Sequence, residues 1–282
     1  MPDSEVNRVA RQLVETDLLL GLDQVVRRRA VIEAVSIETE QSPGVPAEQE
    51  PVGQDDSVPA KAEAEAVSGS KPRGRLDIAI ELEELEGETA AEKLASLRER
   101  HAAECPHCTS AKDHTNLVFG EGDPQAGLMF VGEAPGANED RLGRPFVGQA
   151  GQKLDEMIAA MGFKREEVYI ANVLKSRPLN NRTPLRSEGE ACGAWLAAQI
   201  AIIRPDAIVA LDGPAAKLLL DTEVGITRLR GAWGSLEVGG LEIPVMPTYH
   251  PAYVLRQYTP QVRREVWEDL QQVMERIRGG GN

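Results

Sequence analysis

Short apolar runs alternate with amphipathic segments through the second half of the chain. The runs are GLMFV at 127–131, VYIAN at 168–172, AIVAL at 207–211 and IPVMPTYH at 243–250. The segments between them repeat apolar residues every three or four positions, as in Leu154, Met157, Ile158 and Met161. This alternation predicts an α/β protein with a parallel sheet and helices on both faces. We therefore expect a three-layer α/β/α sandwich with a central, mostly parallel four-stranded sheet.

Helix boundaries have signals of their own. TAAEKLASLRERHAAE at 89–104 reads as a helix, and Ser187 and Glu190 suggest a capping box that opens a helix through Ile203. A further helix is expected at about 214–220. A final helix carries Val262, Val266, Leu270, Val273 and Ile277 at helical spacing.

The first third of the chain has a different composition. Residues 1–35 contain a roughly helical apolar stripe, which predicts a short segment that could dock on an unidentified protein. Residues 36–87 are predicted to be a disordered, acidic and Pro-rich linker, because 36–75 contain no aromatic residue and little apolar surface to bury. The globular domain is expected at 88–282.

The net charge of −14 is distributed unevenly. Residues 1–100 contain 22 acidic and 12 basic side chains, so most of the acidity lies there, and a basic groove remains possible later in the chain. No apolar run has the length of a membrane span, and no signal-peptide pattern opens the sequence. We expect a cytoplasmic monomer. Its three cysteines are better explained as free thiols or metal ligands than as a disulfide framework.

Ligands of such sheets bind beyond the carboxyl ends of the strands. That rule selects the loops 132–146, 172–186 and 250–256. The first contains glycines, carboxylates and Phe146, the second begins at Asn172 and is rich in Lys and Arg, and the third begins at His250. A flat ring, an amide, a histidine and flanking cations suit a planar polar heterocycle attached to a phosphate backbone.

Three stretches in these loops resemble a known family. GEAPGANEDRLGRPFVGQAG, VYIANVLKSRP and HPAYVLR, preceded by CPHC, are similar to the motifs of the family-4 uracil-DNA glycosylases, the iron–sulfur branch of their superfamily. The resemblance covers about residues 100–278. It implies a monofunctional glycosylase that flips uracil out of DNA and hydrolyses its N-glycosidic bond, the first step of base excision repair.

The resemblance implies roles for matching residues in uracil binding. Phe146 would stack on the uracil ring, and Asn172 would read its polar edge. His250 would donate to uracil O2, where negative charge develops as the bond breaks.

The carboxylates of the first loop are assigned in the same way. Glu133 and Ala134 would lie in the uracil-binding turn. Glu139 would position the attacking water or stabilise the cationic sugar. Whether Glu133 or Glu139 handles the water is left open.

DNA contacts are expected from the second and third loops. The candidates for phosphate contact are Lys175, Arg177, Arg182 and Arg256. Val254 or Leu255 would act as the wedge that helps to flip the base.

The cysteines raise a question about the cofactor. In the family that the chain resembles, four cysteines hold a [4Fe–4S] cluster; this chain offers Cys105, Cys108 and Cys192, with Ser176 where another cysteine stands. The resemblance implies a [4Fe–4S] cluster with a structural role. A [3Fe–4S] cluster, zinc on the three cysteines and a histidine, or no metal are the alternatives.

Two other functions are compatible with parts of the pattern. A DNA-binding relative that has lost catalysis would keep the same motifs. An ordinary nucleotide-binding enzyme is disfavoured, because neither G-x-G-x-x-G nor G-x-x-x-x-G-K-[ST] occurs.

Overall fold

The computed structural model describes residues 71–78, 80–111 and 114–279. They belong to one compact unit, Lys71–Asn282. The predicted N-terminal helical segment and the predicted linker up to residue 70 lie outside the described residues.

A seven-stranded sheet forms the middle layer. Its strands are β1 (Arg73–Leu76), β2 (Glu121–Gly122), β3 (Leu128–Gly132), β4 (Tyr169–Asn172), β5 (Ala207–Ala210), β6 (Gly234–Val238) and β7 (Leu241–Pro247), in the spatial order β1-β6-β7-β5-β3-β4-β2. The four predicted strands are the central four, β7, β5, β3 and β4, and neighbours among them are parallel. The prediction missed three flanking strands: β6 antiparallel to β7, β1 parallel to β6, and β2 antiparallel to β4.

Helices cover both faces of this sheet. They are α1 (Ala90–Glu104), α2 (Pro106–Ser110), α3 (Ala137–Leu142), α4 (Gln149–Ala160), α5 (Arg186–Ile203), α6 (Gly213–Leu220), α7 (Ile226–Leu229), α8 (Pro251–Arg256) and α9 (Pro260–Gly279), with short 3₁₀ turns at Leu82–Glu84, Arg165–Glu167 and Leu179–Asn181. Side chains of β3 alternate between two cores: Met129 and Val131 pack with α1, α5 and α6, whereas Leu128 and Phe130 pack with α4 and α9. The predicted α/β/α sandwich is confirmed. Among the described helices, none combines the length and the hydropathy that a membrane span requires.

The linker prediction is wrong over its last residues. Strand β1 pairs with β6 along its whole length, and Leu85 is buried in the core. Composition did not reveal this strand, because two of its four residues are arginines that remain exposed at the sheet edge. Gly74 allows the close fit: a Cβ there would lie 2.2 Å from the carbonyl oxygen of Leu219.

The capping box predicted at Ser187 and Glu190 is also wrong. Helix α5 begins at Arg186, with Leu185 as its N-cap, and Glu188 Oε2 accepts a hydrogen bond from the Leu185 N–H at 2.7 Å. At α1 a capping box does form, between Thr89 and Glu92.

Candidate active site and metal centre

The turn after β3 is held by backbone hydrogen bonds on one side and by a carboxylate on the other. The Gly132 carbonyl accepts from Val173 N–H at 2.8 Å, and the Glu133 carbonyl accepts from Leu174 N–H at 3.0 Å. Asp212, the N-cap of α6, accepts from Glu133 N–H at 2.9 Å through Oδ2. The turn therefore has a fixed position relative to the ends of β4 and β5.

Gly132 leaves room between two predicted site residues. A Cβ at this position would lie 2.6 Å from Asn172 Oδ1 and 2.7 Å from Phe146 Cζ. The strands set this arrangement, because Gly132 and Asn172 are paired residues at the ends of β3 and β4. Asn172 and Phe146 are therefore brought together by the sheet, as expected for loops at its carboxyl edge.

Phe146 has an unusual backbone conformation. Its φ of 49° lies in the left-handed region, which non-glycine residues adopt mainly where surrounding structure enforces it. The backbone of helix α4 lies close to this residue at Gly151, where a Cβ would be 2.0 Å from the Phe146 carbonyl oxygen. The Phe146 ring lies 5.7 Å from the His250 ring, with an interplanar angle of 31°.

Asn172 carries an unsatisfied acceptor. The residue is 2% exposed, and its Oδ1 is buried without a hydrogen-bond partner among the described residues. Such an atom costs about 1–3 kcal/mol if it stays unpaired. Its position beside Phe146 makes it a candidate contact for a polar ring.

His250 is arranged as a neutral hydrogen-bond donor. It is the N-cap of α8, and its Nδ1 accepts from the Ala252 N–H at 3.0 Å. The proton of a neutral imidazole must then be on Nε2. Burial, followed by the charge of Arg256, lowers the pKa of His250 to about 4, so the ring is neutral at physiological pH.

The two candidate carboxylates lie in different surroundings. Glu139 Oε1 accepts from Val147 N–H at 2.9 Å and from Gly148 N–H at 3.0 Å, so it holds the backbone next to Phe146. Its negative charge also acts on His250. Glu133 instead lines a cavity of about 680 Å³ with Val173 and Leu174, where burial raises its pKa.

The predicted metal ligands converge. Cys192 Sγ lies 3.8 Å from Cys105 Sγ and 3.6 Å from Cys108 Sγ, and Ser176 Oγ lies 3.4 Å from Cys108 Sγ. All four residues are buried. Hydrogen bonds among the thiols hold the pKa of Cys105 well below its usual range and raise the pKa values of Cys108 and Cys192.

His101 completes this group and was not predicted individually. One of its ring nitrogens and the three sulfurs all lie within 4.8 Å of one another. The only sequence signal is the helical spacing, since His101 precedes Cys105 by four residues. Three thiols and an imidazole, all buried, are a donor set that fits a metal or an iron–sulfur group.

Known proteins are similar to this chain in sequence. A family model described as the Uracil DNA glycosylase superfamily matches residues 119–271. A type-4 uracil-DNA glycosylase of Thermotoga maritima is 44% identical over 194 residues, which is 67% of this chain and 98% of that protein. Two other type-4 uracil-DNA glycosylases are similar as well. The protein of Archaeoglobus fulgidus is 46% identical over 180 residues, which is 62% of this chain and 89% of that protein. The protein of Pyrobaculum aerophilum is 44% identical over 170 residues, which is 59% of this chain and 86% of that protein.

The chain belongs to the type-4 uracil-DNA glycosylase family. The resemblance read from its motifs is thereby confirmed. In this member of the type-4 family, the structure brings Phe146, Asn172 and His250 together, places Ala134 half-buried in the same turn as Glu133, and gathers the three cysteines with Ser176.

Two of the DNA contacts predicted for this glycosylase are wrong. Lys175 is fully buried and donates from Nζ to the Asn172 carbonyl at 2.7 Å and to Gln199 Oε1 at 2.5 Å. Val254 is 3% exposed and packs in the core, so it cannot act as a wedge. A residue-type pattern does not distinguish a buried Lys or Val from an exposed one.

The remaining contact candidates are accessible. Leu255 is 38% exposed on α8, and Arg256 beside it is exposed as well. Arg177 is half-buried and donates to Asn181 Oδ1, whereas Arg182 is exposed and forms a two-point ion pair with Glu188. Contact of these four residues with DNA remains a prediction.

Proposed function

We propose that the chain hydrolyses the N-glycosidic bond of uracil in DNA and does not cleave the strand, as the first step of base excision repair. One observation carries the assignment of the site: the buried, unpartnered Oδ1 of Asn172 lies beside the Phe146 ring and at the same edge as a neutral His250.

Asn172 provides the basis for selecting uracil. Its Oδ1 would accept from uracil N3–H, and its Nδ2 would donate to O4, while Phe146 stacks on the ring. Cytosine presents the reverse donor–acceptor pattern and would leave buried polar groups unpaired. A site that relies on such hydrogen bonds can reject the wrong base by a factor of about 10⁴–10⁵.

His250 provides the main stabilisation of the reaction. As the C1′–N1 bond breaks, its electron pair stays with the base, and negative charge spreads to O2. The Nε2–H of His250 donates to that oxygen. A donor fixed in advance in a partly buried site favours the developing anion strongly. Water adds to C1′ and loses a proton to the departing base or to solvent.

Glu139 is the carboxylate that we assign to the positive sugar. Its charge already acts on His250, whereas Glu133 lines a separate cavity. Through Val147 and Gly148 it also keeps the loop of Phe146 in place. Glu133 then serves as a structural part of the turn, next to the buried Asp212, whose pKa burial raises to about 7.

We also propose that the metal centre is a [4Fe–4S] cluster. Cys105, Cys108 and Cys192 would hold it, together with a fourth donor. Such a group, once bound, would cross-link the end of α1, α2 and α5. The loop that follows β4 contacts this centre through the hydrogen bond from Cys108 Sγ to Ser176 Oγ, and Asn172 is the last residue before that loop. Measurement of iron, acid-labile sulfide and zinc tests this proposal against the zinc alternative.

The glycosylase proposal is tested with an oligonucleotide that contains one uracil. Purified protein in excess should release free uracil and leave a strand that breaks only after alkali. His250→Ala should slow release by about 10²–10³-fold, the usual effect of removing one donor to a developing anion, with DNA affinity nearly unchanged. DNA binding without release by the wild-type protein would contradict the proposal and indicate a non-catalytic relative.

A further inference from the structure

We propose that His101, and not Ser176, supplies the fourth protein ligand of the metal centre. This inference rests on the proposed metal centre but not on whether the group is a cluster or a single ion. Ser176 occupies the sequence position of the missing cysteine, so position alone would favour it. The contacts of the two side chains favour His101.

His101 is a buried imidazole beside the three cysteine sulfurs. It is 0% exposed, and neither ring nitrogen has a hydrogen-bond partner among the described residues. The ring packs edge-on to Trp195 at 5.2 Å and tilted to Phe119 at 5.7 Å. Polar nitrogens are rarely buried in this way without a partner, since the loss of water is not compensated. A bound metal would satisfy one of them.

The last turn of α1 directs His101 to the cysteines. Cys105 follows it by four residues, and the Cys105 N–H donates to the His101 carbonyl at 3.1 Å. Side chains four residues apart lie on the same face of a helix. The helix therefore fixes two of the four donors rigidly, and Cys108 and Cys192 complete a set whose ligand atoms all lie within 4.8 Å of one another.

Ser176 is already engaged in hydrogen bonds. Its Oγ lies 3.4 Å from Cys108 Sγ and 3.3 Å from His107 Nε2. A serine ligand would also have to lose its hydroxyl proton, whereas imidazole coordinates in its neutral form. Ser176 is better placed to hydrogen-bond a ligand sulfur, as residues around metal ligands commonly do.

His107 provides a matched control. It is the other histidine near the centre, but its Nδ1 lies 3.6 Å from Glu188 Oε1 and its Nε2 contacts Ser176. Both of its nitrogens thus have partners outside the sulfur cluster. The same substitution at His101 and at His107 should therefore have different consequences for the metal.

The test is the metal and acid-labile sulfide content of the full-length protein and four variants, each purified in the same way. His101→Phe keeps a ring between Trp195 and Phe119 but removes both nitrogens, and we expect its metal content to fall at least tenfold. His101→Cys restores a thiolate and should retain metal. His107→Phe should also retain it, and Ser176→Ala, which loses only a hydrogen bond to a ligand sulfur, should lose less metal than His101→Phe. Circular dichroism of each variant establishes that it is folded.

The outcomes separate the ligand assignment from the metal proposal. Full metal content in folded His101→Phe would overturn the inference, as would a loss in Ser176→Ala equal to that in His101→Phe. Zinc instead of iron and sulfide in the wild-type protein would contradict the cluster proposal. The zinc contents of the same four variants would then decide whether His101 is a ligand. A wild-type protein without metal would overturn both.

Discussion

At the scale of single residues, the proposed uracil site depends on the absence of a side chain at Gly132. Any Cβ at Gly132 would overlap Asn172 Oδ1 and Phe146 Cζ. We expect Gly132→Ala to slow uracil excision by about 100-fold or more, since displacements of about 1 Å have effects of that size. Single-turnover excision measures this.

Gly225→Ala is the control for that substitution. The φ of Gly225 is −68°, and among the described residues no atom beyond its chain neighbours lies within 4 Å of the position that a Cβ would occupy. Alanine therefore fits there, and the excision rate should equal that of the wild-type protein. A Gly132→Ala protein as active as Gly225→Ala would contradict the proposed arrangement of Asn172 and Phe146.

His250 gives a prediction about protonation. Burial and Arg256 lower its pKa to about 4, below the usual value of about 6.5 for the unfolded chain. As the pH falls, the unfolded state therefore binds a proton at His250 before the folded state does. The contribution of neutral His250 to the free energy of unfolding is complete above about pH 6.5 and is lost as the pH falls toward 4.

NMR titration of the histidine ring signals checks this directly. The His250 signals should change with a midpoint near pH 4, and the nitrogen shifts should identify Nε2–H as the neutral tautomer. A midpoint at 6.5 or above, or an Nδ1–H tautomer, would remove His250 as the neutral donor to uracil O2.

The motifs predicted residue types at the site but not their exposure. The sequence predicted that Phe146, Asn172 and His250 lie at one edge, because they come at or after the carboxyl ends of neighbouring strands, and the structure brings them together. Lys175 and Val254 were assigned to DNA although the fold buries them. Asp212 was missed because its contact with Glu133 joins residues that are distant in sequence. His101 was missed because the fold brings Cys192, from a distant helix, to the group that His101 and Cys105 begin.

At the scale of elements, helix α8 presents one apolar side chain to solvent. Leu255 is exposed and Val254, its neighbour, is buried. Leu255→Ala should slow excision from duplex DNA more than from single strands, because unstacking costs a few kcal/mol only in the duplex. Excision assays on both substrates measure the ratio.

Val254→Ala separates stability from base flipping. It should lower the free energy of unfolding by about 1–3 kcal/mol, as core truncations do, and affect both substrates equally. If Leu255→Ala slowed the two substrates to the same extent, Leu255 would not be the wedge.

Strand β1 shows why the edges of the fold were harder to predict than its centre. The central strands are apolar on both faces, so each appears in the sequence as a continuous apolar run. Arg73 and Arg75 flank Gly74 in β1, and only the parallel partner β6 and the contact of Gly74 with Leu219 explain the strand. Information of this kind lies in tertiary contacts and not in local composition.

At the scale of the whole molecule, β1 defines where the glycosylase domain begins. A protein of residues 71–282 retains β1 and should match the full chain in thermal stability and excision. A protein of residues 88–282 loses β1 and the buried Leu85. We expect its unfolding free energy to be lower by at least about 2 kcal/mol. That corresponds to a Tm lower by about 4–8 °C. Equal melting of the two truncated proteins would contradict the boundary at β1.

The central claim is that Asn172 reads uracil and that the same site excises it. The most direct test is single-turnover release of free base from oligonucleotides with one uracil or one marked cytosine, by the wild-type protein and by Asn172→Asp. The wild-type protein should release uracil and not cytosine. Asn172→Asp, which loses the donor to O4, should release uracil at least about 100-fold more slowly. Equal uracil release by the two proteins would contradict the account.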